Sequence, residues 1–100
     1  METEDMSKVY KALADPTRRM ILQLLRDRNL TAGEISDHFD FAKPTISRHL
    51  AVLREADLVD SHKKGTTVIY QLNISVLEET LLAMLHTFKI DFGENNDTQE

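Results

Sequence analysis

The reading of this chain turns on Lys43-Pro44-Thr45-Ile46-Ser47-Arg48-His49-Leu50-Ala51-Val52-Leu53-Arg54. Ile46, Leu50 and Leu53 recur at i, i+4 and i+7, one stripe of an α-helix. Pro44 suits the first helical position, where a missing N–H costs nothing. The opposite side carries Pro44, Ser47, Arg48 and Ala51, with Thr45 at its edge, and no carboxylate occurs before Glu55. A slim, hydroxylated and basic face is what a helix needs to lie in a DNA major groove and donate to base edges and phosphates. An ordinary amphipathic surface helix has the same stripe, so the flanking segments must decide.

Upstream, Thr31 with Glu34 three residues on spells a capping box, which predicts a short helix over Ala32–His38 with Ala32, Ile35 and Phe39 inward. Asp40–Ala42 then forms a tight turn. Two short helices joined in this way, the second basic on its outside, make a helix-turn-helix. Downstream the period changes from helical to alternating. Leu58–His62 and Thr67–Leu72 read as a β-hairpin, with Val68, Tyr70 and Leu72 on one face and Gly65 giving the turn its backbone freedom. Lys63 and Lys64 fall at the tip. Two lysines there also serve solubility, but beside a basic reading helix they are expected to form a wing placed to touch phosphate or an adjacent minor groove.

Towards the N-terminus, Met6, Val9, Tyr10 and Leu13 mark a helix over Met6–Ala14. Asp15 and Pro16 break it and start a second helix as N-cap and first residue, with Met20, Ile21, Leu24 and Leu25 periodic to about Arg28. Towards the C-terminus, Asn73 or Ser75 caps a last helix ending near Lys89. Its stripe of Ile74, Leu77, Leu81, Leu85 and Phe88, widened by Leu82 and Met84, exceeds what one neighbouring face covers. A second copy of the chain is the natural cover, through Met6, Val9, Tyr10, Leu77, Leu81, Met84, Leu85 and Phe88; the alternative is that this helix completes a monomer core. Residues 1–92 thus form one DNA-binding and dimerisation domain, and 93–100, acidic and polar, are expected to be a disordered tail.

The 100-residue chain carries a net charge of −5, unevenly placed. Ala42–Thr67 holds five bases against three acids; from Leu77 onward there is one base, Lys89, against six acids. A local positive face is compatible with DNA binding. The acidic N-terminus has no basic-then-apolar order, and no run reaches the ~20 apolar residues of a membrane span, so the chain is expected in the cytoplasm, at the nucleoid when DNA-bound. The absence of cysteine removes every thiolate as nucleophile, ligand or redox sensor. Catalysis is not indicated: Ser47 and His49 diverge by about 200° around a helix, and the three glycines form no phosphate loop.

Asp15-Pro16-Thr17-Arg18-Arg19 with Ile21, Leu22 and Leu25, then Ile46-Ser47-Arg48-His49-Leu50 with Leu53, Leu58-Val59, Gly65 and Tyr70, resembles the ArsR family of winged-helix repressors. The likeness covers about Met6 to Phe88. The Asp-Pro-Thr-Arg-Arg opening and the Lys-Pro-Thr-Ile-Ser-Arg-His core are similar to its metal-independent branch of SdpR-type autorepressors. This implies a homodimer on an inverted-repeat operator, overlapping its own promoter, that blocks transcription until a signal releases it. The family's Cys-x-Cys metal site on the third helix aligns, through Ser47, with Thr31 and Gly33, neither a useful ligand. The family's other site, on the last helix, meets only His86, Glu78, Glu79 and Asp91 here, without ligand spacing. No cofactor or metal is expected.

The expected fold is mainly α with a two-stranded β-hairpin: a dimeric winged helix-turn-helix of about five helices. The expected function is sequence-specific repression on double-stranded DNA, with an unknown inducer or anti-repressor protein as a further partner. Thr45, Ser47 and Arg48 are the base-edge candidates, Arg48 suiting a guanine. Lys43 and Arg54 flank them for phosphate; Thr31 serves phosphate or only its cap. His49, at the border of the stripe, serves packing or phosphate. Lys63, Lys64, Thr66 and Thr67 make up the wing. Arg18 and Arg19 read as a solvated basic pair and stay outside the site. The competing readings are a winged-helix adaptor that binds protein instead of DNA, and a metal sensor with an unrecognised site.

Overall fold

The computed structural model describes residues 3–91. The expected tail, 93–100, lies outside them. Five helices and three short strands follow in order: α1 (Thr3–Leu13), α2 (Pro16–Asp27), β1 (Leu30–Thr31), α3 (Ala32–Ser36), α4 (Lys43–Glu55), β2 (Val59–Lys64), β3 (Thr67–Leu72) and α5 (Ile74–Thr87).

Local chemistry explains the breaks. Asp15 caps α2 by accepting the Arg18 N–H at 3.1 Å, and Pro16 starts that helix. The Thr31 box is complete: Thr31 Oγ1 accepts from the Glu34 N–H at 3.1 Å, and Glu34 Oε1 accepts from the Thr31 N–H at 2.9 Å. The third helix stops at Ser36, two residues earlier than its spacing predicts, and passes into tight turns (His38 N–H to Ile35 O, Phe39 N–H to Ser36 O). Phe39 and Phe41 stack at 5.9 Å in the connection to α4.

α4 and α5 end alike. Asp57 (φ 62°) and Lys89 (φ 56°) take the left-handed conformation that glycine usually supplies after a helix. The Leu58 N–H then returns to Leu53 O at 3.0 Å, and the Ile90 N–H to Leu85 O at 2.8 Å. Leu53 and Leu58 are both fully buried, so the first of these turns is held by an apolar clasp as well as by hydrogen bonds.

The sheet has the order β1-β3-β2, all antiparallel. The hairpin is as expected, closed by Lys64 opposite Thr67 with Gly65 at φ 67°. Two features differ from the sequence reading. Lys63 and Lys64 are the last residues of β2, not part of the loop, although they still lie at its far end. Leu30 and Thr31 add a third strand, pairing with Tyr70 and Ile69, which ties the start of α3 to the hairpin.

The core joins Val9 and Ala12 of α1, Ile21, Leu22 and Leu25 of α2, Ile35 of α3, Ile46, Leu50 and Leu53 of α4, and Leu30, Leu58 and Val59. Each large aliphatic side chain buried here is worth about 1.5–3 kcal/mol of transfer free energy. α4 is therefore seated through the stripe that its spacing identifies. α5 meets the core through Val76 and Leu77, and through Thr80, whose hydroxyl is buried and donates to Val76 O at 2.8 Å. The described chain extends over 54 × 28 × 27 Å, well beyond a sphere of its size. No helix among the described residues is long and apolar enough to cross a membrane.

Candidate nucleic-acid interface

α4 presents the outer face that the sequence requires. Lys43, Pro44, Ser47, Arg48, Ala51 and Arg54 are exposed, and Thr45 is half-buried at the rim. Among the described residues, Lys43, Arg48 and Arg54 make no ion pair or side-chain hydrogen bond with the protein. Their donors are thus open to an outside acceptor. At the far end of the hairpin Lys63, Lys64, Thr66 and Thr67 are exposed as well. Ser47, Lys43 and Ile46 of α4 share an open cleft of about 260 Å³ with Ala32, Gly33 and Ser36 of α3.

Two candidates have other engagements. The Thr31 hydroxyl is committed to its capping box. His49 is drawn inward, with a side chain only 18% exposed. Its Nδ1 lies 3.2 Å from Arg18 Nη1 and its Nε2 4.0 Å from Asp15 Oδ2. The structure does not bring His49 to the face that carries Ser47 and Arg48.

Arg18 and Arg19, left outside the site by the sequence reading, do more than cover a solvated helix face: Arg18 is half-buried, Arg19 is exposed, and both bond to α1. Arg18 Nε donates to Ala12 O and Nη2 to Lys11 O, both at 2.8 Å, and Arg19 Nη1 donates to Leu13 O at 2.8 Å. The last carbonyls of a helix lack partners within it, and these two guanidiniums supply them for α1. The signal was present in the Asp15-Pro16 corner, which folds the first turn of α2 back beside the end of α1. Burial pushes the Asp15 carboxyl up. The Arg18 N–H, the charges of His49 and Arg18, and the Thr17 N–H outweigh that and hold it below its ordinary value.

The surface expected to meet a second copy divides in two. Val9 is a correction: at 1% exposure it belongs to the chain's own core and has no surface left to share. Leu77 also packs largely inward. The helical period places both on an apolar stripe but does not tell which body covers it. Tyr10, Leu81 and Phe88 are exposed, and Met6, Met84 and Leu85 are half-buried. Leu81, Met84, Leu85, Phe88 and Ile90 line an apolar groove of about 370 Å³ on α5, and Leu82 beside it is 65% exposed. Among the described residues no three His, Cys, Asp or Glu side chains gather as a metal site.

Comparison with known proteins agrees with this geometry. The family model for bacterial regulatory proteins of the arsR family matches residues 15–61, from the Asp15 cap into β2. The transcriptional repressor SdpR of Bacillus subtilis (strain 168) is 44% identical over 91 residues, which cover 91% of this chain and 99% of that protein. The arsenical resistance operon repressor of Staphylococcus xylosus is 38% identical over 78% of this chain and 75% of its own length. Among solved structures, the homodimeric winged helix-turn-helix DNA-binding domain of a possible ArsR-family regulator from Mycobacterium bovis superposes with a TM-score of 0.71 at 25% identity, covering 86% of this chain and 81% of that one.

Proposed function

Because this chain belongs to the arsR family of bacterial regulatory proteins, we propose that it is a sequence-specific transcriptional repressor acting as a homodimer on an inverted-repeat operator. The observation that carries this reading is the outer face of α4, where Lys43, Ser47, Arg48 and Arg54 stand exposed and the three cations have no protein partner among the described residues. Thr45, Ser47 and Arg48 read base edges, with Arg48 suited to a bidentate contact on guanine. Lys43 and Arg54 hold phosphates beside them, and Lys63, Lys64, Thr66 and Thr67 do so from the wing. Thr31 lends its helix N-terminus to a phosphate while its hydroxyl keeps the cap.

Two observations support the homodimer: the apolar α5 face, with Tyr10 exposed on α1, and the homodimeric state stated for the Mycobacterium bovis domain. A two-fold pair would set its reading helices in successive major grooves, about 34 Å apart. Residues 1–92 form this unit, and 93–100 a tail outside it. The likeness to SdpR supports repression of the chain's own promoter. The threonine and glycine at positions 31 and 33, where arsR-type sensors carry cysteines, support release by a signal other than a metal, an inducer or an anti-repressor protein. The protein works in the cytoplasm, at the nucleoid when bound.

Titration of the purified chain against DNA upstream of its own gene, with scrambled DNA as control and salt varied, tests the reading. Specific binding at least ~10³ above the control is expected. Lys63→Gln with Lys64→Gln should lower the salt slope by about one for each phosphate that the wing no longer neutralises. Equal, weak binding to both DNAs would overturn autoregulation. Loss of all binding at low salt would favour the adaptor reading, and stoichiometric metal uptake would overturn metal independence.

A further inference from the structure

α4 is held to the domain mainly by Ile46, Leu50 and Leu53. Apolar burial is non-directional: it keeps the helix down but specifies poorly how far it rolls or slides. Among the described residues, one side-chain hydrogen bond joins α4 to another element, the 3.2 Å contact of His49 Nδ1 with Arg18 Nη1. All three nitrogens of the Arg18 guanidinium are engaged, Nε and Nη2 on the Ala12 and Lys11 carbonyls of α1 and Nη1 on α4. A planar fork fixed at two points has little freedom at the third. A guanidinium only donates, so this contact requires the neutral imidazole with Nδ1 as acceptor, the tautomer whose Nε2–H faces Asp15. Asp15 in turn receives the Arg18 N–H. The end of α1, the start of α2 and the middle of α4 therefore meet at one directional junction, next in sequence to Arg48.

We propose that Arg18 is the positioning residue of the reading helix and His49 its receptor, together setting the roll at which Ser47 and Arg48 meet base edges. The proposal rests on the reading of α4 as the DNA-reading helix. Neither side chain needs to touch DNA for this role.

The test uses the full chain and a duplex site recovered from randomised DNA with the unaltered protein, against scrambled DNA. His49→Leu keeps the ring's bulk roughly but has no acceptor. His49→Asn places an amide oxygen near the position of Nδ1. Arg18→Gln removes the fork. Specific affinity is expected to fall about tenfold in His49→Leu and in Arg18→Gln, with no further loss in the double variant, because the two act through one contact. Binding to scrambled DNA and the salt slope should stay unchanged, and His49→Asn should restore most of the specific affinity.

Unchanged specific binding by His49→Leu would overturn the proposal. A salt slope lowered by about one per half-site would make His49 a phosphate donor and would overturn it too. If His49→Asn were as impaired as His49→Leu, and both lost thermal stability in proportion, the contact would be structural only, again against the proposal. Failure of the unaltered chain to select any site would remove the DNA reading itself and this role with it.

Discussion

Two pairs of arginines in this chain have opposite surroundings. Arg18 and Arg19 turn back on α1, and between them engage three of its terminal carbonyls and the ring of His49. Arg48 and Arg54 stand on α4 with no protein partner among the described residues. Composition treats all four alike. The difference is whether the fold brings an unpaired carbonyl within reach. A cation whose donors are met inside the molecule shapes it, whereas one whose donors are left open is available to something outside.

The comparison breaks most visibly if each pair is cut. Arg18→Ala strips partners from the end of α1 and should destabilise the fold by about 1.5–3 kcal/mol, the range for charge-assisted hydrogen bonds, measured by urea denaturation. Arg48→Ala should leave the stability read from urea denaturation within about 0.5 kcal/mol of the unaltered chain. It should reduce discrimination at one base pair of each half-site by about 1–3 kcal/mol, read by competition with single-base variants of the site. If Arg48→Ala instead unfolded the protein, the division between inward and outward cations would be wrong.

Acid sharpens the comparison on its inward side. The folded Asp15 carboxyl is held below its ordinary value. Its contribution is therefore complete above the unfolded value of about 3.9 and is lost as pH falls through the lower, folded one. The thermal midpoint should drop in that window, and less steeply in Asp15→Asn, which keeps a cap without the charge; equal slopes would remove Asp15 from the junction. The smallest effect is expected at Asp57, a carboxylate in left-handed backbone at the C-terminal end of α4. Asp57→Gly relieves both the backbone strain and the unfavourable charge, and should raise stability by about 0.5–1 kcal/mol without altering DNA discrimination.

Periodicity and capping chemistry made most of the frame legible. The Thr31-Glu34 box, the Asp15-Pro16 start, the stripe of α4 and the glycine turn of the hairpin are local patterns, and each appears where its residues indicate. What escaped the sequence depends on partners distant along the chain. β1 is two residues long and exists only because Tyr70 and Ile69 come to lie beside it. Thr80, a polar residue, is buried on α5 while its neighbour Leu81 is half exposed, because the helix leans on the core at a turn that hydrophobicity alone does not select. Val9 and Leu81 both belong to apolar stripes, yet one is covered by its own chain and the other is not. The outward face of the site was readable because it needs only the absence of partners. The inward bonds of Arg18 and His49 were not, because they depend on three helices converging.

The strand order gives the wing lysines a second consequence. β2 is an outer strand, with one side paired to β3 and the other side open. An open strand edge can recruit another chain into a growing sheet, and charged side chains along it guard against that. Asp60, Lys63 and Lys64 supply the charges along this one, with the polar His62 among them. A variant stripped of all four would lose more than the phosphate contact proposed for the wing, since it would offer a bare edge on which molecules could stack. The side chains proposed to meet a polyanion thereby also guard the hairpin against aggregation.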